Sequence, residues 1–412
     1  MLGHFVKNVS ILVTGAIFSQ IITILAAPLL SRLYTPEQFG EYGVFITIVG
    51  LLSTIAALTY DMSIVKQTKR TQANHLFQIC IIIALSTSSV CFLLLLIFHS
   101  FIEMSFIYVL PIAMFLYAVN NAIYSLLNRY QLYNLLSKIQ VLRSLMIVTL
   151  QIIFGYLSFT HYGLVVAVLI SALIVGVYGY SQFIANYKIE RFPGIKASKI
   201  LLTTNLDFAR FGLPQNVMSY LAANSPVLIF TLYYDLATVG AYFFAIKLVQ
   251  VPANVMGASI KRVFYRQAEI LSSDPIALSE LYKKMTLIMT AMIIPIAVVW
   301  FVYAEEIFPA IFGEEWIVAA EFSKWMLIWF GAQFVMAPTR SLFIVFDIQK
   351  YLLIFDTGLG LFKILVLLLL VSSFNSGVVV MIYSLISALI SILFVIGWSF
   401  YLARLRSLVE PS

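Results

Sequence analysis

About twelve stretches of this chain are apolar for long enough to cross a lipid bilayer, and no other feature restricts its fold as tightly. A span takes roughly 20 predominantly apolar residues. Such runs lie at 9–31, 42–65, 76–98, 106–127, 142–160, 164–185, 211–234, 240–260, 285–304, 322–346, 351–372 and 377–402. Composition agrees, since 62% of the 412 residues are hydrophobic and 10% charged. A water-soluble domain carries roughly 25% charged residues, so this chain lacks the polar surface to cover a globule. Blocks such as Leu365–Val371 do not alternate, which excludes the alternating strands of about ten residues found in membrane barrels. The predicted class is an all-α polytopic membrane protein. Its first apolar run outlasts the roughly 7–15 residues of a signal-peptide core, so Ala26 and Ala27 read as part of a retained helix rather than a cleavage site.

The net charge of +7 does not describe a nucleic-acid surface, because the basic residues fall in alternate loops. Lys7, the stretches Lys66–Arg70, Arg129–Arg143, Lys188–Arg210 and Lys261–Lys284, Lys350, and the tail with Arg404 and Arg406 hold 20 of the 25 Lys and Arg. The opposite set of loops holds only Arg32 and Lys324, near span ends. Lys and Arg collect on the cytoplasmic side of membrane proteins, which predicts both termini in the cytoplasm. Acidic residues, Glu37, Glu103, Asp235, Glu305 and Glu315 among them, lean to the outside. Cys80 and Cys91 share one helix, too far apart for a disulfide and too few for a metal site. The four histidines, His4, His75, His99 and His161, lie far apart near span ends. They form no general-base constellation.

The outer connections are short, the longest being roughly 305–321, and the longest inner loops are Asn186–Arg210 and Lys261–Lys284. The first of those inner loops divides the spans six and six. A weak repeat supports the cut: Leu33-Tyr34 precedes Gly40, Tyr42 and Phe45, and Leu232-Tyr233 precedes Gly240, Tyr242 and Phe244. We therefore expect an N-terminal lobe, 1–195, and a C-terminal lobe, 196–412, in the same orientation, with a site between them near mid-bilayer. Pro28, Pro111, Pro214, Pro226, Pro252, Pro295 and Pro338 lie inside spans and predict kinks.

An ionisable residue inside the bilayer costs on the order of 2.5–3.5 kcal/mol and defaults to a functional role. Arg32, Asp61, Lys324 and Arg340 sit near span ends and can snorkel. Lys247 lies roughly 10 Å into the eighth span and Lys363 roughly 18 Å into the eleventh at 1.5 Å per residue. Asp356 shares a helix face with Lys363, two turns away and beyond direct hydrogen-bond reach. Cavity lining and a buried structural pair both fit these two, and snorkelling competes for Lys247. Polar-aromatic stripes come next: Tyr117, Asn120, Asn121 and Tyr124; Trp325, Trp329 and Gln333; Asn216, Tyr220 and Asn224. Aromatic faces beside amides suit sugars, yet amides also hold helices together. No GxxxxGK[ST], HExxH or GxSxG pattern occurs; the expectation is a non-enzyme without a cofactor.

The run Leu30-Ser-Arg-Leu-Tyr-Thr-Pro-Glu-Gln-Phe-Gly-Glu-Tyr-Gly43 and the segment Ala57-Leu-Thr-Tyr-Asp-Met-Ser-Ile-Val65 resemble the first outer turn and second span of polysaccharide exporters. The likeness is to O-antigen (Wzx-type) flippases of the multidrug/oligosaccharidyl-lipid/polysaccharide exporter superfamily. It implies two six-helix bundles in a V around a cationic cavity, in the bacterial inner membrane. It also implies an undecaprenyl-diphosphate-linked oligosaccharide as cargo, with membrane lipid and glycan polymerase or other glycan-assembly proteins as partners. Arg32, Lys247, Arg340 and Lys363 become candidates for the diphosphate or acidic sugars, and Asp356 for ion or proton coupling. On this sequence the deep charges all fall in the second half. A drug/cation antiporter of the same superfamily is the rival reading, and a membrane-embedded glycan polymerase or ligase a more distant one.

Overall fold

The computed structural model describes residues 2–98, 106–188 and 190–409. Of the residues named above, His99 and Glu103 lie outside the described residues, as do the side chains of His4, Lys7, His161, Pro252 and Arg406. Fifteen α-helices follow in order: α1 (Leu2–Leu33), α2 (Pro36–Ala56), α3 (Tyr60–Lys66), α4 (Arg70–Phe98), α5 (Leu110–Arg129), α6 (Tyr133–Tyr156), α7 (Thr160–Asn186) and α8 (Ile195–Thr204). Then come α9 (Leu213–Tyr233), α10 (Leu236–Ile270), α11 (Pro275–Phe312), α12 (Ile317–Val335), α13 (Ala337–Val345), α14 (Gln349–Val371) and α15 (Ser376–Val409). No strand occurs among the described residues.

Among the described residues, ten helical segments are long and apolar enough to cross a membrane: α1, α2, α4, α5, α6, α7, α11, α12 continued by α13, α14 and α15. The predicted seventh and eighth spans are α9 and α10. In α9, Gln215, Asn216, Ser219 and Asn224 dilute the apolar run, and in α10 the part whose side chains are described is apolar over Leu236–Gln250. Large apolar side chains stay exposed along α4 (Val90, Leu93, Ile97) and α11 (Leu287, Val299, Val302). Bands of that kind on a helix this long face lipid rather than water.

Four local departures from the sequence reading have physical causes. The second span breaks after α2, where Leu58 and Thr59 adopt positive φ of 49° and 58°. Side chains of L-residues disfavour that conformation. Tertiary bonds hold it: Thr87 Oγ1 donates to the Ala56 carbonyl at 2.8 Å and Thr59 Oγ1 to that of Phe208 at 2.5 Å. The fifth span begins at Tyr133 rather than residue 142. The Asn186–Arg210 loop contains α8, fastened by Tyr60 Oη to the Leu202 carbonyl at 3.3 Å and by Gln67 Nε2 to Asn205 Oδ1 at 3.0 Å. Most of the Lys261–Lys284 stretch is helical, in the ends of α10 and α11. Pro28, Pro226 and Pro295 stand inside helices, Pro111 and Pro338 open them, and Pro214 follows a π-helical turn, Phe208–Gly212, that runs into α9.

The chain forms two compact units, Met1–Tyr34 with Glu41–Asn224, and Thr35–Gly40 with Ser225–Ser412. In the first, α1 packs on α6 and α6 on α7, around a core with Ile64, Leu76, Phe77, Leu127, Ile139 and Phe183. Tyr34 Oη donates to the Gln151 carbonyl at 2.6 Å. In the second unit, α12 packs on α10, α11 and α15. Its core includes Phe264, Tyr282, Leu342 and Leu402, with the Tyr282 and Thr339 hydroxyls 2.7 Å apart.

The repeat-related glycines meet inside the second unit. A Cβ on Gly240 would overlap the Pro36 carbonyl and lie 2.7 Å from the Gly40 nitrogen, and one on Gly40 would overlap the Leu236 carbonyl. Backbones approach this closely only where side chains are absent. Aromatic rings pack around the crossing: Phe244 lies 4.2 Å from Trp316 and 5.3 Å from Phe39, centroid to centroid.

Candidate functional site

In the second unit the deep charges of α14 are treated differently from each other. Asp356 pairs with Arg340 of α13 in a two-pronged ion pair, NH2 to Oδ1 at 2.8 Å and NH1 to Oδ2 at 3.0 Å. A planar guanidinium matches a carboxylate in this geometry, so α13 and α14 are tied where each side chain is about one third exposed (34% and 36%). Lys363 is 8% exposed. Its ammonium lies 4.7 Å from the ring centre of Trp329 on α12 and 6.0 Å from that of Tyr383 on α15. Ring faces attract a cation, but they accept none of its protons as a carboxylate would. Among the described residues Lys363 has no ion pair or hydrogen bond. Trp329 Nε1 and the Tyr242 hydroxyl are also buried without a partner. Buried polar groups are normally satisfied, so among the described residues the second unit holds unused donors, one of them on the ring that Lys363 rests on.

In the first unit the structure adds a residue that the sequence reading placed in a loop. Arg143 lies ten residues into α6, roughly 15 Å at 1.5 Å per residue. Its guanidinium sits 4.7 Å from the ring centre of Tyr117, with the Tyr124 hydroxyl also in its field. Tyr42 joins through Gln151, Tyr117 and Arg143. No carboxylate pairs with Arg143 among the described residues. The first half therefore does carry a deep charge. The signal was available in the basic residue at 143, but setting the span nine residues late hid it.

The remaining candidates divide by what their side chains do. Asn120 is buried, and its amide donates to the Leu116 carbonyl at 2.8 Å and the Ala172 carbonyl at 3.0 Å. That bond joins α5 to α7, the helix-holding role of an intramembrane amide. Asn121, half-buried, has no hydrogen-bond partner among the described residues. Arg32 is exposed in the last turn of α1. Lys247 is exposed on α10, its ammonium 5.1 Å from the Phe243 ring centre. Lys324 is paired with Glu305. Tyr220 donates to the Thr47 carbonyl at 3.0 Å. Thus Arg340, Asp356 and Lys363 come together in one unit, while Arg32, Asn120 and Asn121 belong to the other.

A polytopic helical membrane protein with unpaired cations at depth is the class these features define. A family described as "Polysaccharide biosynthesis protein" matches residues 29–321, and the chain belongs to that family. It is 21% identical over 321 residues to the succinoglycan biosynthesis transport protein ExoT of Rhizobium meliloti (strain 1021). That match covers 74% of this chain and 61% of ExoT, so the chain spans less than two thirds of that relative's length. Among solved structures it resembles an inward-facing multidrug resistance MATE family transporter of the MOP superfamily, with TM-score 0.69 and 16% identity over 94% of this chain and 96% of that one. It also resembles the lipid II flippase MurJ in an inward closed conformation, with TM-score 0.70 and 12% identity over 94% of this chain and 86% of that one. At these identities the likeness is one of fold, and the fold is that of the MOP transporters.

Proposed function

We propose that this protein is a flippase. It carries an undecaprenyl-diphosphate-linked oligosaccharide, an O-antigen or similar glycan unit, from the cytoplasmic to the periplasmic leaflet of the bacterial inner membrane. Transport proceeds by alternating access between two lobes, 1–195 and 196–412, with both termini in the cytoplasm. One observation carries the reading: among the described residues the deep charges without an ion pair, Lys363 and Arg143, are cations, while the deep carboxylate Asp356 is paired with Arg340. An interior of that sign favours an anionic cargo and disfavours the cationic substrates of a drug antiporter.

In this reading Lys363, Arg340, Lys247 and Arg32 contact the diphosphate or acidic sugars at successive stages. Asn121 and the rings of Tyr117 and Trp329 offer hydrogen bonds and apolar faces to the glycan. Lys363 is closed off by Trp329 and Tyr383 in this state, so it meets the cargo when those rings part. Asp356 competes with the cargo for Arg340, which makes it the coupling group. The test is Lys363→Ala in cells that depend on this gene for glycan export. Losing a charge-assisted hydrogen bond of about 1.5–3 kcal/mol lowers export roughly ten- to a hundred-fold. The glycolipid then collects in the cytoplasmic leaflet while membrane levels of the protein stay normal. Export at the wild-type rate would remove Lys363 from the site.

A further inference from the structure

At the turn between α5 and α6 the first unit has a cavity of about 400 Å³, inside the roughly 300–1,000 Å³ range of small-molecule sites. Its wall is made by the start of α6 and by Tyr178, Gln182 and Asn186, which recur every four residues on one face of α7. The cavity therefore lies where three spans end, at the boundary between membrane and water. Its lining contains one ammonium (Lys138) and no carboxylate.

Hydrogen bonding separates this cavity from the polar groups beside it. Next door, Arg129 donates to the Gln67 and Thr68 carbonyls at 2.5 and 2.6 Å, and Tyr130 Oη to Asn74 Oδ1 at 3.2 Å. Those groups hold the fold. In the cavity wall, by contrast, the side chains of Gln131, Asn134, Lys138 and Gln182 are exposed and those of Tyr133 and Tyr178 half-buried, and none bonds to a protein group among the described residues. Arg70 adds positive charge behind the wall, its guanidinium 5.9 Å from the ring centre of the lining residue Tyr187.

We propose that this cavity is a headgroup site for an anionic, hydroxyl-bearing phospholipid of the phosphatidylglycerol type. One cation matches one phosphodiester charge, and the surrounding carboxamides and phenols match its hydroxyls. Tyrosine at this depth is the usual interfacial residue, and basic pockets at span ends take lipid headgroups. Acyl chains enter the bilayer directly from a site placed here. With the orientation proposed above, the lipid belongs to the cytoplasmic leaflet.

The full-length protein, purified in detergent, is incubated with phosphatidylglycerol or phosphatidylcholine and weighed intact by native mass spectrometry. Wild type retains one more phosphatidylglycerol than the Lys138→Gln/Gln182→Leu variant, whose apparent affinity falls roughly ten- to thirtyfold. Phosphatidylcholine retention is the same for both. The single variant Asn134→Leu, at the exposed mouth, provides a milder second measurement and weakens binding in the same direction. Equal phosphatidylglycerol retention by wild type and both variants overturns the proposal, as does equal retention of the two lipids by wild type. If glycerol 1-phosphate alone raises the melting temperature as much as the lipid does, a soluble phosphate ester is the occupant and the lipid site falls. None of these readouts involves transport, so the flippase reading stands or falls separately.

Discussion

Arg340 and Asp356 illustrate what a charge inside a membrane protein needs. Each is about one third exposed, so the pair is neither a loose surface contact nor a dry core bridge. Removing Asp356 alone leaves a guanidinium partly buried beside the ammonium of Lys363, whereas removing both partners leaves no orphan charge. Thermal unfolding in detergent should therefore show Arg340→Ala and Asp356→Ala each destabilising by about 1–2 kcal/mol, with the double variant costing less than their sum. Strict additivity would mean the pair does not hold α13 to α14. The partner itself was not legible in the sequence. Residues 340 and 356 sit on different helices, and periodicity reports only what shares a face of one helix. It did place Asp356 and Lys363 on one face and out of mutual reach, which the ion pair to Arg340 now explains. For Asn120 the sequence leaves ligand contact and helix holding open, and the bond to the Ala172 carbonyl 3.0 Å away shows the helix contact that no single-helix periodicity could reveal.

The same boundary appears among the helices. Apolar run length located the spans because a bilayer demands it from every one of them. It could not reveal the break at Leu58 and Thr59, since neither residue favours positive φ and the conformation is imposed by bonds from Thr87 on α4 and to Phe208 beyond α8. Nor could it reveal that Gly40 and Gly240, read only as marks of a repeat, touch. That contact is sharply testable. A methyl at Gly240 has backbone on its far side, which cannot rotate away as a side chain would. Gly240→Ala should destabilise the protein by about 1–3 kcal/mol or more, seen as a lower melting temperature and reduced membrane yield. Gly194→Ala, where a Cβ meets nothing within 4 Å, should change either by little. An unaltered Gly240→Ala protein would show that the helices part more easily than their backbone contact suggests.

At the scale of the whole molecule the sign of the interior matters more than any one residue. Among the described residues each unit carries a deep cation without an ion pair, Arg143 in one and Lys363 in the other, and both rest on tyrosine or tryptophan rings. Ring contacts keep Lys363 in place while leaving its N–H groups for an anion, whereas Arg143 also bonds to the hydroxyls of Tyr117 and Tyr124; both positions suit a cargo whose charge is negative and whose glycan can stack. If one cargo is handled by both units, neutralising either cation slows the same reaction. In vesicles containing the purified protein, Arg143→Gln should slow glycolipid translocation roughly tenfold, the loss of one hydrogen bond to a charged group. Arg143→Lys should recover only part of the rate, because an ammonium cannot reproduce the planar fork over Tyr117. Ethidium, a cationic dye, should not be expelled by wild type or by either variant. Dye export by wild type, with glycolipid ignored, would turn the assignment to a cation antiporter. Full activity of Arg143→Gln beside an inactive Lys363→Ala would confine cargo recognition to the second unit.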